Sequence, residues 1–333
     1  MSNIGVWSLQ AIYNKQVSGS WVTNPYVPPA PTYQQFGWFG AGNGGTPQAM
    51  RSSVERISYE TDTATASTRG SLSSARYGLA ATGNDNFGWF TGGFGPSAAN
   101  EIINRITYAN DAVAASTVGS LSSSRFTQAA TGNINFGWIS GGTRGTTVDR
   151  ITYSNDGVTT SVRGPLTRGG DAPSAAGNND FAWFSTGFVS PEGLVTLVNR
   201  IDYSVDTAVA TVRGPMSSAT YWRAATGNSN FGWFAGGGGG FGSFSFVDRI
   251  TYASDTGVAT LRGLLNEGRT DVAATGTSNF GWFAGGRRSN PSPVIQYSSV
   301  MRIEYANDTA TTSIRGPLGN TRRTHSAAGG FPG

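Results

Sequence analysis

The chain has no cysteine, one histidine (His325) and one lysine (Lys15) among its 333 residues. Without thiols there is no disulfide framework and no thiolate metal site. The single histidine falls in the last strand segment of the chain, which argues against a His-based triad, one histidine cannot build a His-rich metal centre, and no cofactor is expected. Charged residues make up 13%, roughly half the usual share. The six glutamates (Glu55, Glu60, Glu101, Glu192, Glu267 and Glu304) are scattered, with no pair in a repeat-breaking position to point to a glycosidase dyad. No stretch of 18 apolar residues occurs, so no membrane insertion is expected. The opening Met1-Ser2-Asn3-Ile4-Gly5 lacks a basic region, so a cleaved secretory signal is not expected.

Glycine is abundant, at 48 residues, yet 18 Phe, 12 Tyr and 9 Trp argue for a packed core over disorder. Apart from Lys15 every cationic side chain is arginine. Arginine alone suggests planar, hydrogen-bonded structural roles. A net charge of +4 spread over this length does not single out a polyanion, and no nucleic-acid partner is expected.

Six tryptophans recur almost evenly, at Trp38, Trp89, Trp138, Trp183, Trp233 and Trp282. Each lies in a phrase of the type Phe87-Gly88-Trp89-Phe90-Thr91-Gly92-Gly93. A repeat of about 50 residues built from short strand signals predicts a β-propeller. One repeat shows the pattern clearly. Strand a is read at 223–226, strand b at 230–235, strand c at 247–252 and strand d at 258–262, separated by Gly, Asn and Asp turns. The first repeat begins at strand b, with Phe36, and the last segment, 323–329, is an orphan strand a. Pairing the two closes six four-stranded blades and removes two exposed edges. The fold expected is all-β: a six-bladed propeller over 34–333, closed by the C-terminal strand.

Residues 1–33 stand outside the repeat. Leu9, Ile12, Tyr13 and Val17 recur at helical spacing, flanked by Trp7 and Trp21, ahead of a proline-rich tether at 24–31. A small apolar helix on such a tether either lies against the propeller or docks on another protein.

Inside the repeat, Arg-Ile-x-Tyr occurs six times, from Arg56 to Arg302, with Asp three residues after each Tyr. Twelve charged residues in a ring do not make an active site. The aspartates are expected to cap the c–d turn through their own backbone. The arginines are expected to bond carbonyls or aspartates across or between blades. A second arginine precedes a glycine at Arg69, Arg163, Arg213, Arg262 and Arg315. The run at 237–242 matches GxGxxG formally but precedes a strand, which is the wrong setting for a phosphate loop. Function is therefore sought in the b–c loops, which break the repeat and share a face with the d–a connections. The longest carries Arg287, Arg288 and Tyr297, and the most aromatic carries Phe241, Phe244 and Phe246. These six are the candidate partner-binding residues.

The Gly pair after an apolar strand, the strand-c Tyr and the Arg322-Arg323-Thr324-His325-Ser326-Ala327-Ala328 ending resemble kelch repeats. The departure is that Trp lies in strand b, not strand d. The Asn-Phe-Gly-Trp-Phe-x-Gly-Gly phrases and the Ile4-Gly5-Val6-Trp7-Ser8-Leu9-Gln10 start also resemble repetitive propeller proteins of marine tailed phages. That resemblance implies a non-enzymatic virion component, a tail fibre, receptor-binding appendage or capsid decoration. Residues 1–33 would then bind other virion proteins and the propeller would meet a host-surface glycan or protein, as a monomer or an oligomer. The alternatives are a lectin-like propeller of a cell-surface or secreted protein and a polysaccharide hydrolase using a loop carboxylate such as Glu192 or Glu267.

Overall fold

The computed structural model describes residues 35–45, 49–240, 242–289 and 293–329. The anchor residues Trp7, Leu9, Ile12, Tyr13, Val17 and Trp21, and the loop residue Phe241, lie outside the described residues.

Six four-stranded antiparallel sheets form a β-propeller. In blade 1 the C-terminal strand a, Ser326–Gly329, pairs with strand b, Phe36–Gly40, with Trp38 opposite Ala328. Strand c, Val54–Ser58, and strand d, Ser67–Arg69, complete that sheet. Blade 2 uses Ala80–Gly83, Phe87–Thr91, Ile102–Thr107 and Ser116–Ser120, and the later blades repeat the plan. The six a strands contact one another in a closed ring around a central channel lined by Ala81, Ala130, Ala175, Ala225, Ala274 and Ala327. Small residues are needed there because six backbones converge.

The blades are joined by one device used six times. Each strand-b Trp is fully buried, and its indole N–H donates to the Asp of the next blade at 2.7–3.0 Å. The next blade's Tyr stacks flat on the same indole, with ring centroids 3.6–4.0 Å apart. Strand-c Arg reaches the same Asp at 2.9–3.1 Å and covers the ring of its own blade's first Phe at 4.2–4.9 Å. In five seams the second Arg adds a further contact at 2.7–3.6 Å. In blade 2 that position is Val118. Each buried ring contributes about 2–3 kcal/mol, and charged partners satisfy its polar edge.

The place of each Asp in the repeat suggests a cap on its own turn. The side chain instead crosses to the preceding blade. In blades 2 to 6 the turn is closed by a short 3-10 segment that starts at the Tyr, as in Tyr108–Asn110. Ending strand c one residue before the Tyr swings that ring out of the sheet and onto the neighbouring indole.

Candidate functional site

The repeat is uniform in its seams and irregular at one end of the channel. There, on the face shared by the d–a and b–c loops, each blade enters strand a through a residue in the left-handed region. These are Gly78 (φ 68°), Thr127 (58°), Ala172 (51°), Trp222 (53°), Asp271 (61°) and Thr324 (50°). Such backbone is costly for any residue but glycine, by about 1–2 kcal/mol. Main-chain bonds running from blade to blade hold it. The amides of Gly78, Thr127, Trp222, Asp271 and Thr324 donate to the carbonyls of Thr324, Gly78, Ala172, Trp222 and Asp271, at 2.7–3.2 Å. The channel is thus collared by backbone, and the six side chains on the collar are free to differ.

Buried arginines brace the collar from behind. Arg76, Arg269 and Arg322 are fully buried and Arg125 nearly so, each two residues before a collar position. Arg76 donates to the Phe90 carbonyl and to Asn104, and Arg125 pairs with Asp149. Arg269 takes the carbonyls of Gly285 and Ser299, and Arg322 those of Phe39, Ala41 and Ser53. In blade 5 the role passes to Arg223, one residue after Trp222, which pairs with Asp248 at 2.6 Å. Among the described residues every arginine but Arg51, Arg76 and Arg288 has an ion-pair partner. The arginine surplus is therefore mostly structural, as the scarcity of lysine suggests.

The chemistry concentrates around Trp222 and Asp271. Asp271 is only 3% exposed. Its Oδ2 accepts from Arg287 Nε at 2.6 Å, and the Arg323 guanidinium stands 4.0 Å away. Burial raises the carboxyl above its ordinary range, while Arg287 and Arg323 pull it back. Asp271 Oδ1 has no hydrogen-bond partner among the described residues. The Arg287 guanidinium also lies 5.5 Å from the Trp222 ring centroid, and Tyr221 flanks that ring at 4.6 Å. The indole N–H of Trp222 is likewise unpartnered. A cavity of about 120 Å³ at the channel mouth is lined by Trp222, Asp271, Thr127, Gln128, Thr324 and His325, among others. The His325 ring packs at 5.9 Å from Phe39, and burial with Arg322 nearby holds it well below its ordinary titration range.

Of the loop residues singled out in sequence, Arg287 reaches this mouth. It sits on a small hairpin formed by Arg287–Arg288 and Ile295–Gln296. Arg288 lies half-buried beside it. Tyr297 is half-buried too: its hydroxyl donates to Glu267 at 2.5 Å and its ring lies under Arg269 at 3.8 Å. Phe244 and Phe246 were expected as open aromatic contacts. They are half-buried and stack on one another at 5.3 Å, a pairing that hides apolar area from water. Glu192 and Glu267, the loop carboxylates considered for hydrolysis, each pair with an arginine, Arg168 and Arg269. Trp222 and Asp271 went unremarked in sequence because they share a backbone conformation with their counterparts and no side-chain type.

No family model matches this chain, and no curated protein matches it. Among solved structures, that of YjhT is similar, with a TM-score of 0.64 at 12% identity, covering 85% of this chain and 94% of that one. At that identity the likeness is one of fold, the β-propeller.

Proposed function

We propose that this chain is a non-enzymatic virion component that displays a rigid propeller. Residues 1–33 would hold it to other virion proteins, and the collared face of the disc would meet a host-surface glycan or protein. One observation carries this reading. The ring is entered at Phe36, beside Gly329, where strand b begins and strand a ends. The collar sits at the other ends of those strands, on the face away from Phe36. The collared face, with Trp222, Asp271 and Arg287, is the one we propose for recognition.

The kelch-like repeat and the phage-like phrases support the same reading. So does the engagement of the repeated Arg and Asp residues in seams, which leaves them as scaffold and not as reacting groups. The test is assembly in the native virus with and without residues 1–33. The shortened protein should fold and stay off the particle, and particle-bound protein lacking those residues would refute the reading.

A further inference from the structure

Asp271 stands between two arginines. Its side chain is shut off from solvent, with Arg287 Nε at 2.6 Å and the Arg323 guanidinium at 4.0 Å, while those two side chains stay 22% and 20% exposed. The carboxylate therefore braces the pair from behind, and the surface turned to solvent is cationic. One carboxylate cannot neutralise both guanidinia. Burial, with Arg287 adding to it, holds Arg323 below its ordinary range. Glu267 and Glu55, in the adjoining loop and blade, are committed to Arg269 and Arg322. Arg288 follows Arg287 on the same hairpin, and its charge has no ion-pair partner among the described residues.

This charge is accessible. Arg287 spends only its Nε, and its Nη1 and Nη2 are open to solvent with no partner among the described residues. The two atoms form a planar fork that matches the oxygen pair of a carboxylate or a phosphate. Beside the fork, the half-buried Trp222 ring lies 5.5 Å from the guanidinium. Trp222 holds a left-handed position filled by Gly78 and Ala172 in other blades, so packing of the collar does not require an indole there.

Resting on the proposed recognition role of this face, we infer that this corner of the channel mouth binds the anionic group of an acidic saccharide, with Arg287 and Arg323 taking the charge and Trp222 the apolar face of the sugar ring. Charge decides against the alternatives. A neutral sugar leaves the cationic pair uncompensated, and a cation is repelled by it. The flat indole beside the fork suits the C–H groups of a sugar ring. An acidic peptide is disfavoured by the collar itself. The amides of Trp222, Asp271 and Thr324 are spent on neighbouring blades, so an extended main chain finds no row of open donors there. A uronate carboxylate and a sugar phosphate offer the same oxygen pair, and the test separates them.

The test is titration of the full chain with glucuronate, glucose 6-phosphate, glucose and a hexaglutamate peptide, followed by saturation-transfer NMR at low ionic strength. At least one acidic sugar should bind, more tightly than glucose or the peptide, and added salt should weaken it. Binding of glucuronate alone assigns a carboxylate and of glucose 6-phosphate alone a phosphate, and either upholds the inference. Arg323→Gln should weaken binding about tenfold or more. Its thermal transition should stay near the parent's, since Arg287 still holds Asp271. Trp222→Gly, at a backbone that glycine accepts, is the second variant and should also weaken binding. Arg144→Gln, which removes an exposed arginine paired with Asp171, should bind as the parent does. Four results would overturn the inference: no acidic sugar bound, glucose or hexaglutamate bound as tightly, undiminished binding by both Arg323→Gln and Trp222→Gly, or an equal loss in Arg144→Gln. A protein that reaches the particle through residues 1–33 and ignores acidic sugars removes this inference but leaves the display role. A protein that binds them and never joins a particle does the reverse.

Discussion

Arg322 and Glu55, 267 residues apart in the chain, form an ion pair of 2.6 Å with both side chains removed from water. Arg322 lies just ahead of the closing strand, while Glu55 sits in strand c of the first blade and also accepts from the Gly319 amide at 2.8 Å. The two ends of the propeller sequence are thus tied by a charge pair as well as by a strand. Arg322→Met should cost about 3–5 kcal/mol, because the Glu55 carboxylate is left buried without its partner. Replacing both, as Arg322→Met with Glu55→Gln, should recover part of that loss. Urea denaturation of the three proteins checks it, and an Arg322→Met transition equal to the parent's would refute it.

Deleting residues 323–333 should go further. It removes the strand opposite Phe36–Gly40, bares that strand's edge, and takes away the packing partner of the two neighbouring a strands. The expected outcome is aggregation or the loss of a cooperative thermal transition. A truncated protein that melts like the parent would mean the ring does not depend on this strand.

The seams offer an internal comparison. Asp206 receives Trp138, Arg150 and Arg163, whereas Asp156 receives Trp89 and Arg105, with Val118 in place of the second arginine. Val118→Arg should supply the missing contact and stabilise by up to about 1 kcal/mol, the range for partly exposed pairs. The gain should vanish in an Asp156→Asn background, which a double-mutant cycle of thermal denaturation would show. A gain that survives the loss of Asp156 would assign it to something other than the seam.

Acid should act through His325. Its imidazole is held well below the usual 6.5 by burial, with Arg322 adding to the effect. As pH falls through the unfolded value, the unfolded chain takes up a proton that the folded ring does not. Stability present above about pH 6.5 is therefore lost by at most about 1.4 kcal/mol for each further pH unit. His325→Phe, with the ring kept against Phe39, should flatten that part of the profile relative to the parent. Identical pH profiles for the two proteins would exclude the effect.

Much of this architecture could be read from residues alone, for a physical reason. A seam needs the same indole, carboxylate, guanidinium and phenol each time, so its members recur in register and reveal the blade count and the closure. Which blade supplies each partner was not legible. Asp62 and Asp111 occupy the same place in the repeat, so spacing cannot say which of the two Trp38 will reach; the structure assigns Asp111. The bracing arginines were hidden because Arg223 performs the task from a shifted position. The collar was hidden most deeply. Gly78, Thr127, Ala172, Trp222, Asp271 and Thr324 have a dihedral angle in common and little else.

That last property has a consequence for how the molecule can diversify. Because the collar is tied by main-chain amides and carbonyls, its cohesion does not depend on which side groups it bears. Six sites can be rewritten one at a time, as a lock is rekeyed by changing pins while its barrel stays whole. A lineage pressed to follow a changing target could do so here without disturbing the masonry between blades.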